Sequence, residues 1–290
     1  MNPKKLVDEI ESLVSMPDVC VKVNRLVDSP SYSARSVGEI VSRDTDLSAR
    51  LLRLVNSSFL GLRAPVDTIS RAIAVVGTNE LRNLVMATTA ARIFTGIPSD
   101  LVDMYDYWSH AVMTGVISRE LAVLRNVLHS ERLFVMGMLH DIGRLVIYRT
   151  LAEQSRDILL ISGGDDWLLP GTEMDILGFT HMDVGAELLR KWNLPDGLIA
   201  VAGGHHDPMK VGDFRFEASL VHFAIALANG EMNGESLETT VTGIAPSVWE
   251  MTDLSLADLE STMEGISAKV VEVMELIMSP VRISHKSSKS

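Results

Sequence analysis

Apolar residues recur along almost the whole chain at helical spacing, and strand-like alternation is nearly absent. Pro and Gly fall mainly between the periodic segments and not inside them. This pattern predicts an all-α protein. Helices are expected near 3–15, 19–28, 36–43, 46–56, 67–76 and 79–94, then near 101–125, 131–149, 150–161, 172–177, 181–192, 196–203, 214–229 and 254–278. Expected start signals are a capping box Ser36-x-x-Glu39, Asp46 before "LSARLLRLV", the stop-start pair Gly77-Thr78, and Pro195-Asp196. Most of these helices are too short to be stable alone and must pack on one another.

The turn-rich stretch "TGIPSD" at 95–100 divides the chain into a helical N-terminal lobe, 1–98, and a second lobe, 99–290. With one Pro and one Gly it reads as a lobe boundary and not as a flexible tether. Residues 229–253 carry no clear periodicity, and the polar tail "ISHKSSKS" is expected to be disordered.

Composition narrows the function classes. With 38 acidic and 26 basic residues the formal charge is −12, which disfavours phosphate backbones and anionic lipid as partners, so neither nucleic acid nor membrane is expected. The longest apolar runs fall short of the roughly 20 residues that span a bilayer. A cytoplasmic protein is the expectation. The lone Cys20 excludes an internal disulfide and thiolate clusters, and reads as a small buried hydrophobe. Met86, Met113, Met136 and Met138 fall in core patterns, Asn56, Ser57 and Ser58 close an apolar helix, and Arg50 and Arg53 read as a solvated helix edge.

Histidines supply the candidate chemistry. His110 shares a helical face with Met113, Thr114, Ile117 and Leu121; His140 with Met136, Gly143 and Ile147; His181 with Gly185, Leu188, Leu189 and Trp192. The pair His205-His206 follows Gly203-Gly204. Converging neutral imidazoles and one carboxylate, Asp141, would suit a borderline divalent metal such as Fe, Mn, Zn or Ni. Adjacent His140 and Asp141 diverge by about 100° on a helix, so one can serve one metal and the other a second. A hydrogen-bonded polar cluster satisfies the same spacing.

"FVMGMLHDIGRLVIY" at 134–148, followed by Glu173, Gly178 and "HMDVGAELLRKWNLPDGLIAVAGGHHDP", resembles the HDOD family, the HD-related output domain of bacterial signalling proteins. "MPDVCVKVNRLVDSPSYSARSVGEIVSRDTDLSARLLRLVNSSFLG" and "VDTISRAIAVVGTNELRNLVM" are similar to that family's N-terminal pattern, and the resemblance covers roughly residues 10–230. It implies a helical lobe packed on a bundle related to the HD phosphohydrolases. In those enzymes the order His, His-Asp, His, His-His, Asp holds one or more metals, which carries over here to His110, His140, Asp141, His181, His205 and His206 as ligands for one or two divalent ions.

The final aspartate is replaced by Ile225 in "VHFAIALA", with His222 on nearly the same face. The lysine that stabilises a phosphate oxygen in the active enzymes is Arg144, and their Gly-Tyr-Pro motif is missing. If the chain is an enzyme, Asp141 and Arg144 are its catalytic candidates. The resemblance therefore implies a signalling module acting through a protein partner without catalysis. The alternatives are a metal-dependent phosphohydrolase acting on nucleotides or cyclic dinucleotides, and a metal-responsive sensor.

Overall fold

The computed structural model describes residues 2–11, 16–27, 29, 33–62, 64–94 and 96–278. Every regular element among them is helical. The expected first lobe corresponds to α1 (Pro3–Glu11), α2 (Asp18–Val27), α3 (Ala34–Ser42), α4 (Thr45–Val55), α5 (Ile69–Val76) and α6 (Thr78–Ile93). The second holds α7 (Met104–Leu124), α8 (Glu131–Leu139), α9 (Ile142–Thr150), α10 (Ala152–Ser162), α11 (Leu169–Leu177), α12 (His181–Lys191), α13 (Asp196–Gly204) and α14 (Arg215–Asn233). It ends in α15 (Leu237–Val241), α16 (Pro246–Thr252), α17 (Leu256–Met263) and α18 (Ile266–Met278). The last residues expected in the first helix, 12–15, and the tail from 279 lie outside the described residues.

Helix α7 is buried along most of its length and packs on α8, α14 and α18, so it forms the axis of the second lobe. The first lobe reaches this bundle at several places: α1 lies on α9 and α12, α6 on α8, and α18 returns to α4 and α6. One continuous apolar core, from Leu6 to Ile277, runs through both groups of helices. Polar contacts fix the seam. The Asn24 amide donates to the Trp192 carbonyl at 2.7 Å, and the Arg119 guanidinium stacks 4.6 Å over Phe59. The 95–100 connection is anchored too, since Arg149 donates to the Gly96 carbonyl and Arg156 pairs with Asp100 at 2.8 Å.

Several expectations need correction. The single helix expected over 131–149 is two, broken at His140-Asp141, where Asp141 leaves helical geometry at φ −97°, ψ 8°. The apolar pattern on both sides is in phase, so it conceals the break. The helix expected over 254–278 is likewise divided, by Gly265 at φ 71°. The segment 229–253 finishes α14 and adds α15 and α16. Helix α3 starts earlier than expected, capped by Ser33 with Ser36 returning the bond, and α4 is capped by Asp44, which accepts from the Leu47 amide at 2.9 Å. Asp46 instead pairs with Arg92 and, at 2.9 Å, with Arg50. That pairing lets Arg50 lie buried and not along a solvated edge, whereas Arg53 is exposed.

Other local expectations agree with the structure. Gly77, at φ 96°, both ends α5 and starts α6, and α13 begins at Asp196. Asn56 ties the end of α4 to Val66 through both its amide atoms, at 2.6 and 2.7 Å. Met86, Met113, Met136 and Met138 are buried, as their core patterns predict.

Gly143 and Gly185 let α9 and α12 approach until their backbones touch. A Cβ at Gly143 would overlap the His181 carbonyl oxygen and sit 2.6 Å from the Gly185 nitrogen. Because the obstructing atoms are backbone, Gly143→Ala is expected to cost at least the upper part of the ~1–3 kcal/mol typical of overpacking. Gly171→Ala, whose Cβ meets nothing within 4 Å, should leave the thermal midpoint unchanged or raised. Thermal melts followed by circular dichroism compare the two. Cys20 is fully buried, and burial pushes its thiol up to about 11. Native protein at pH 8 should therefore resist iodoacetamide, with alkylation appearing on unfolding, as intact mass would record.

Candidate metal centre

Helix ends build the site. His140 closes α8, Asp141 opens α9, His181 is the first residue of α12, and His205 caps α13 with His206 beside it. His110 comes from within α7. Local chemistry sets these ends: Thr180 and Asp183 form a capping box that starts α12 at His181, after Gly178 at φ 78° has ended α11. The α9–α12 glycine contact then brings Asp141 beside His181.

The structure collects all six predicted residues into two groups, His181, His205 and His206 in one and His110, His140 and Asp141 in the other. Within each group, potential ligand atoms lie within 4.8 Å of one another. Asp141 stands between the groups. Its Oδ1 lies 3.3 Å from His181 Nε2 and 3.5 Å from His205 Nε2, and its Oδ2 lies 3.4 Å from His140 Nε2. The sequence-based expectation that the neighbouring residues 140 and 141 diverge along one helix is therefore replaced by a break that turns both toward the same centre.

Three imidazoles are oriented from behind. His181 Nδ1–H donates to Glu173 at 2.7 Å, and the same carboxylate oxygen accepts from the His181 backbone N–H at 2.7 Å. His140 Nδ1–H donates to the Gly137 carbonyl at 2.6 Å, and His205 Nδ1–H to the Ala202 carbonyl at 3.1 Å. With the proton on Nδ1, each ring turns its Nε2 toward the centre. His181 and His205 face each other, Nε2 to Nε2, at 3.3 Å. Ring nitrogens gathered in this way around an ionised carboxylate make a donor set for a cation.

Hydrogen bonding leads to the same assignment. His140 Nε2, both Asp141 oxygens and both His206 ring nitrogens are buried without a hydrogen-bond partner. Burial pushes His110 and His205 down to about 4 and depresses His206 as well. Burial works against charge on His140 too, but Asp141 and the Gly137 carbonyl outweigh it and hold this ring above its usual value. For Asp141, burial is outweighed by Arg144 and then His140, which keep the carboxyl well below the normal range. The donor set fits a divalent cation of the Fe, Mn, Zn or Ni type.

A cavity of about 730 Å³ opens on one side of this centre, walled by His110, Asp141, Arg144, Asp166 and Trp167. Arg144 Nε lies 3.0 Å from Asp141 Oδ2, and its Nη2 pairs with Asp166, whose other oxygen accepts from Asn229 at 3.0 Å. Asp166, Trp167 and Asn229 escape the histidine-based reading. The signal for the first two is the inter-helix run Gly163-Gly164-Asp165-Asp166-Trp167, with both glycines at positive φ. Trp167 lies against His206 and His222, at 5.4 and 4.9 Å between ring centres. His222 joins neither donor group, and its Nδ1–H donates to the His205 carbonyl at 2.7 Å. Ile225 is fully buried, while Ala226, Asn229, Gly230, Met232 and Asn233 are the α14 residues that line the cavity.

Comparison with known proteins places this geometry in a family. The HDOD domain family model matches residues 13–208. The chain belongs to the HDOD family. Its fold is shared by an HDOD domain protein of unknown function from Geobacter sulfurreducens, at 20% identity and TM-score 0.72, covering 96% of this chain and 99% of that one. A protein from Shewanella amazonensis, named as a proposed metal-dependent phosphohydrolase, is 21% identical at TM-score 0.65, covering 92% and 95%. One from Marinobacter aquaeolei, named as a proposed signal-transduction protein, is 20% identical at TM-score 0.69, covering 93% and 60%. An uncharacterised Treponema pallidum protein is 25% identical over 240 residues, which are 80% of this chain and 46% of that protein, so the chain spans about half of that relative's length. No helix among the described residues is long and apolar enough to cross a membrane.

Glu173 orients His181 without facing the cation position. Glu173→Gln should keep the helical spectrum and lower affinity for Zn²⁺ by about 10- to 100-fold, the range for a lost carboxylate behind a ligating histidine. Equilibrium dialysis followed by elemental analysis measures it.

Proposed function

We propose that this chain is a signal-transducing HDOD unit in which the histidine-carboxylate centre holds a divalent cation as a structural or sensing element, and that it works through contacts with a protein partner without hydrolysing phosphoesters. One observation carries the reading: the face that the centre turns to the cavity suits an anionic substrate poorly. Asp106, Asp141, Asp165, Asp166 and Glu235 line that cavity against one guanidinium, Arg144, which Asp141 and Asp166 already neutralise. Even with one divalent cation bound, negative charge remains in excess, and a phosphate entering would meet repulsion with no free base to receive it. His181, His205 and His206 are not among the residues lining the cavity, so the three-imidazole group is the closed part of the site. The acidic net charge favours a protein partner over nucleic acid.

The second reading is a metal-dependent phosphohydrolase. The convergence of the two donor groups on Asp141 favours it, as does a cavity within the usual size for a small-molecule ligand. In that case Asp141 would orient the attacking water through the metal, and Arg144 would have to release one of its carboxylates to meet the phosphate. A third reading, a metal-responsive sensor, shares the cation and differs from the first in what sets its occupancy.

Protein purified without chelator is expected to retain a divalent metal by elemental analysis. It should show no turnover of bis(p-nitrophenyl) phosphate, nucleoside monophosphates or cyclic dinucleotides above a metal-only control. Turnover abolished by Asp141→Ala would establish the second reading in its place, and protein that cannot be loaded with metal would sink all three forms of the site.

A further inference from the structure

We infer that the Arg144 guanidinium stands in for a second metal ion, so that the centre takes one divalent cation, held by His181, His205, His206 and Asp141 Oδ1, with His110 and His140 left as non-ligands. The inference rests on the proposed cation-holding function and specifies its stoichiometry.

Asp141 is placed as a bridging carboxylate would be, with one oxygen toward each donor group. On the Oδ1 side the nearest groups are the His181 and His205 Nε2 atoms, and the Arg144 guanidinium is not among them. On the Oδ2 side it is already supplied, because Arg144 Nε lies 3.0 Å from that oxygen. The guanidinium is fixed at a second point by Asp166, which Asn229 in turn holds. A flexible lysine ammonium could swing away from an arriving cation. A planar guanidinium tied to the buried Asp141 and the partly buried Asp166 cannot do so without giving up both contacts. A cation within reach of His110, His140 and Asp141 Oδ2 would therefore have to sit close to a fixed like charge.

His140 and His110 each keep a partner other than metal on one ring nitrogen only, and His140 Nε2 is without a hydrogen-bond partner. His140 Nδ1–H donates to Gly137, its Nε2 faces Asp141 Oδ2, and the His110 ring lies against His140 at 5.4 Å, with Nε2 3.5 Å from the Thr114 hydroxyl. In the first group, His206 has both ring nitrogens buried and unpartnered beside the paired His181 and His205. That asymmetry assigns the single cation to the His181, His205 and His206 side.

The test is metal stoichiometry and affinity of the full chain, stripped of metal and dialysed against Zn²⁺ or Mn²⁺, then measured by inductively coupled plasma mass spectrometry. Wild-type protein should bind one ion per chain. His110→Ala should still bind one ion with affinity changed less than about 2-fold, while His206→Ala should lose more than about 10-fold. Folded Arg144→Ala should take up a second ion. Two ions in the wild type, or loss of an ion in His110→Ala, would overturn the inference while leaving the proposed function intact. Wild-type protein that takes up no ion would overturn the proposed function first. The wild-type and His110→Ala measurements decide the matter even where Arg144→Ala does not fold.

Discussion

Asp141 is almost completely buried, and the architecture around it serves to make that burial tolerable. An isolated buried carboxylate carries a desolvation penalty of several kcal/mol, and losing one partner of a buried pair typically costs about 3–5 kcal/mol. Three imidazoles and a guanidinium surround this one. They arrive from α8, α9, α12 and α13, so the carboxylate ties four helix ends into one place. Helix termini suit this task because a chain leaving a helix can turn two consecutive side chains, such as His140 and Asp141, toward one point, which the interior of a helix prevents.

The supporting layer explains why the site has a definite shape. Glu173, Gly137 and Ala202 each hold one imidazole from behind, and two of those three partners are backbone carbonyls of the helix that presents the ring. Orientation is thus built into the helix endings themselves. The glycine contact between α9 and α12 does the same at larger scale, since the backbones meet with no side chain between them and any relative shift of the two helices moves Asp141 against His181.

Most helix positions could be read in advance because a buried stripe leaves its period in the sequence. What escaped reading has physical causes. The break at His140-Asp141 is silent because the apolar residues before and after it stay in register with one continuous helix. Arg50 reads as solvent-facing because Asp46 reads as a helix start, whereas the fold gives that cap to Asp44 and leaves Asp46 to pair with Arg50. The six histidine and aspartate positions were legible, since polar groups on apolar faces stand out and the family resemblance ordered them. Asp166 and Asn229 were not, because a loop carboxylate and a helical amide acquire meaning only through the arginine that tertiary structure sets between them.

Trp167 gives the arrangement a different significance. Its indole lies against His206 and His222, yet it is 45% exposed, and the neighbouring Leu168 and the nearby Leu160 on α10 are more exposed still. One rigid aromatic plate thus has an edge in the buried centre and an edge in water. Because the indole packs on the His206 ring, a change at that ring alters the surface against which an exposed aromatic group lies, with no helix having to move. A fold this tightly packed can in this way display an internal event on its exterior through a single side chain.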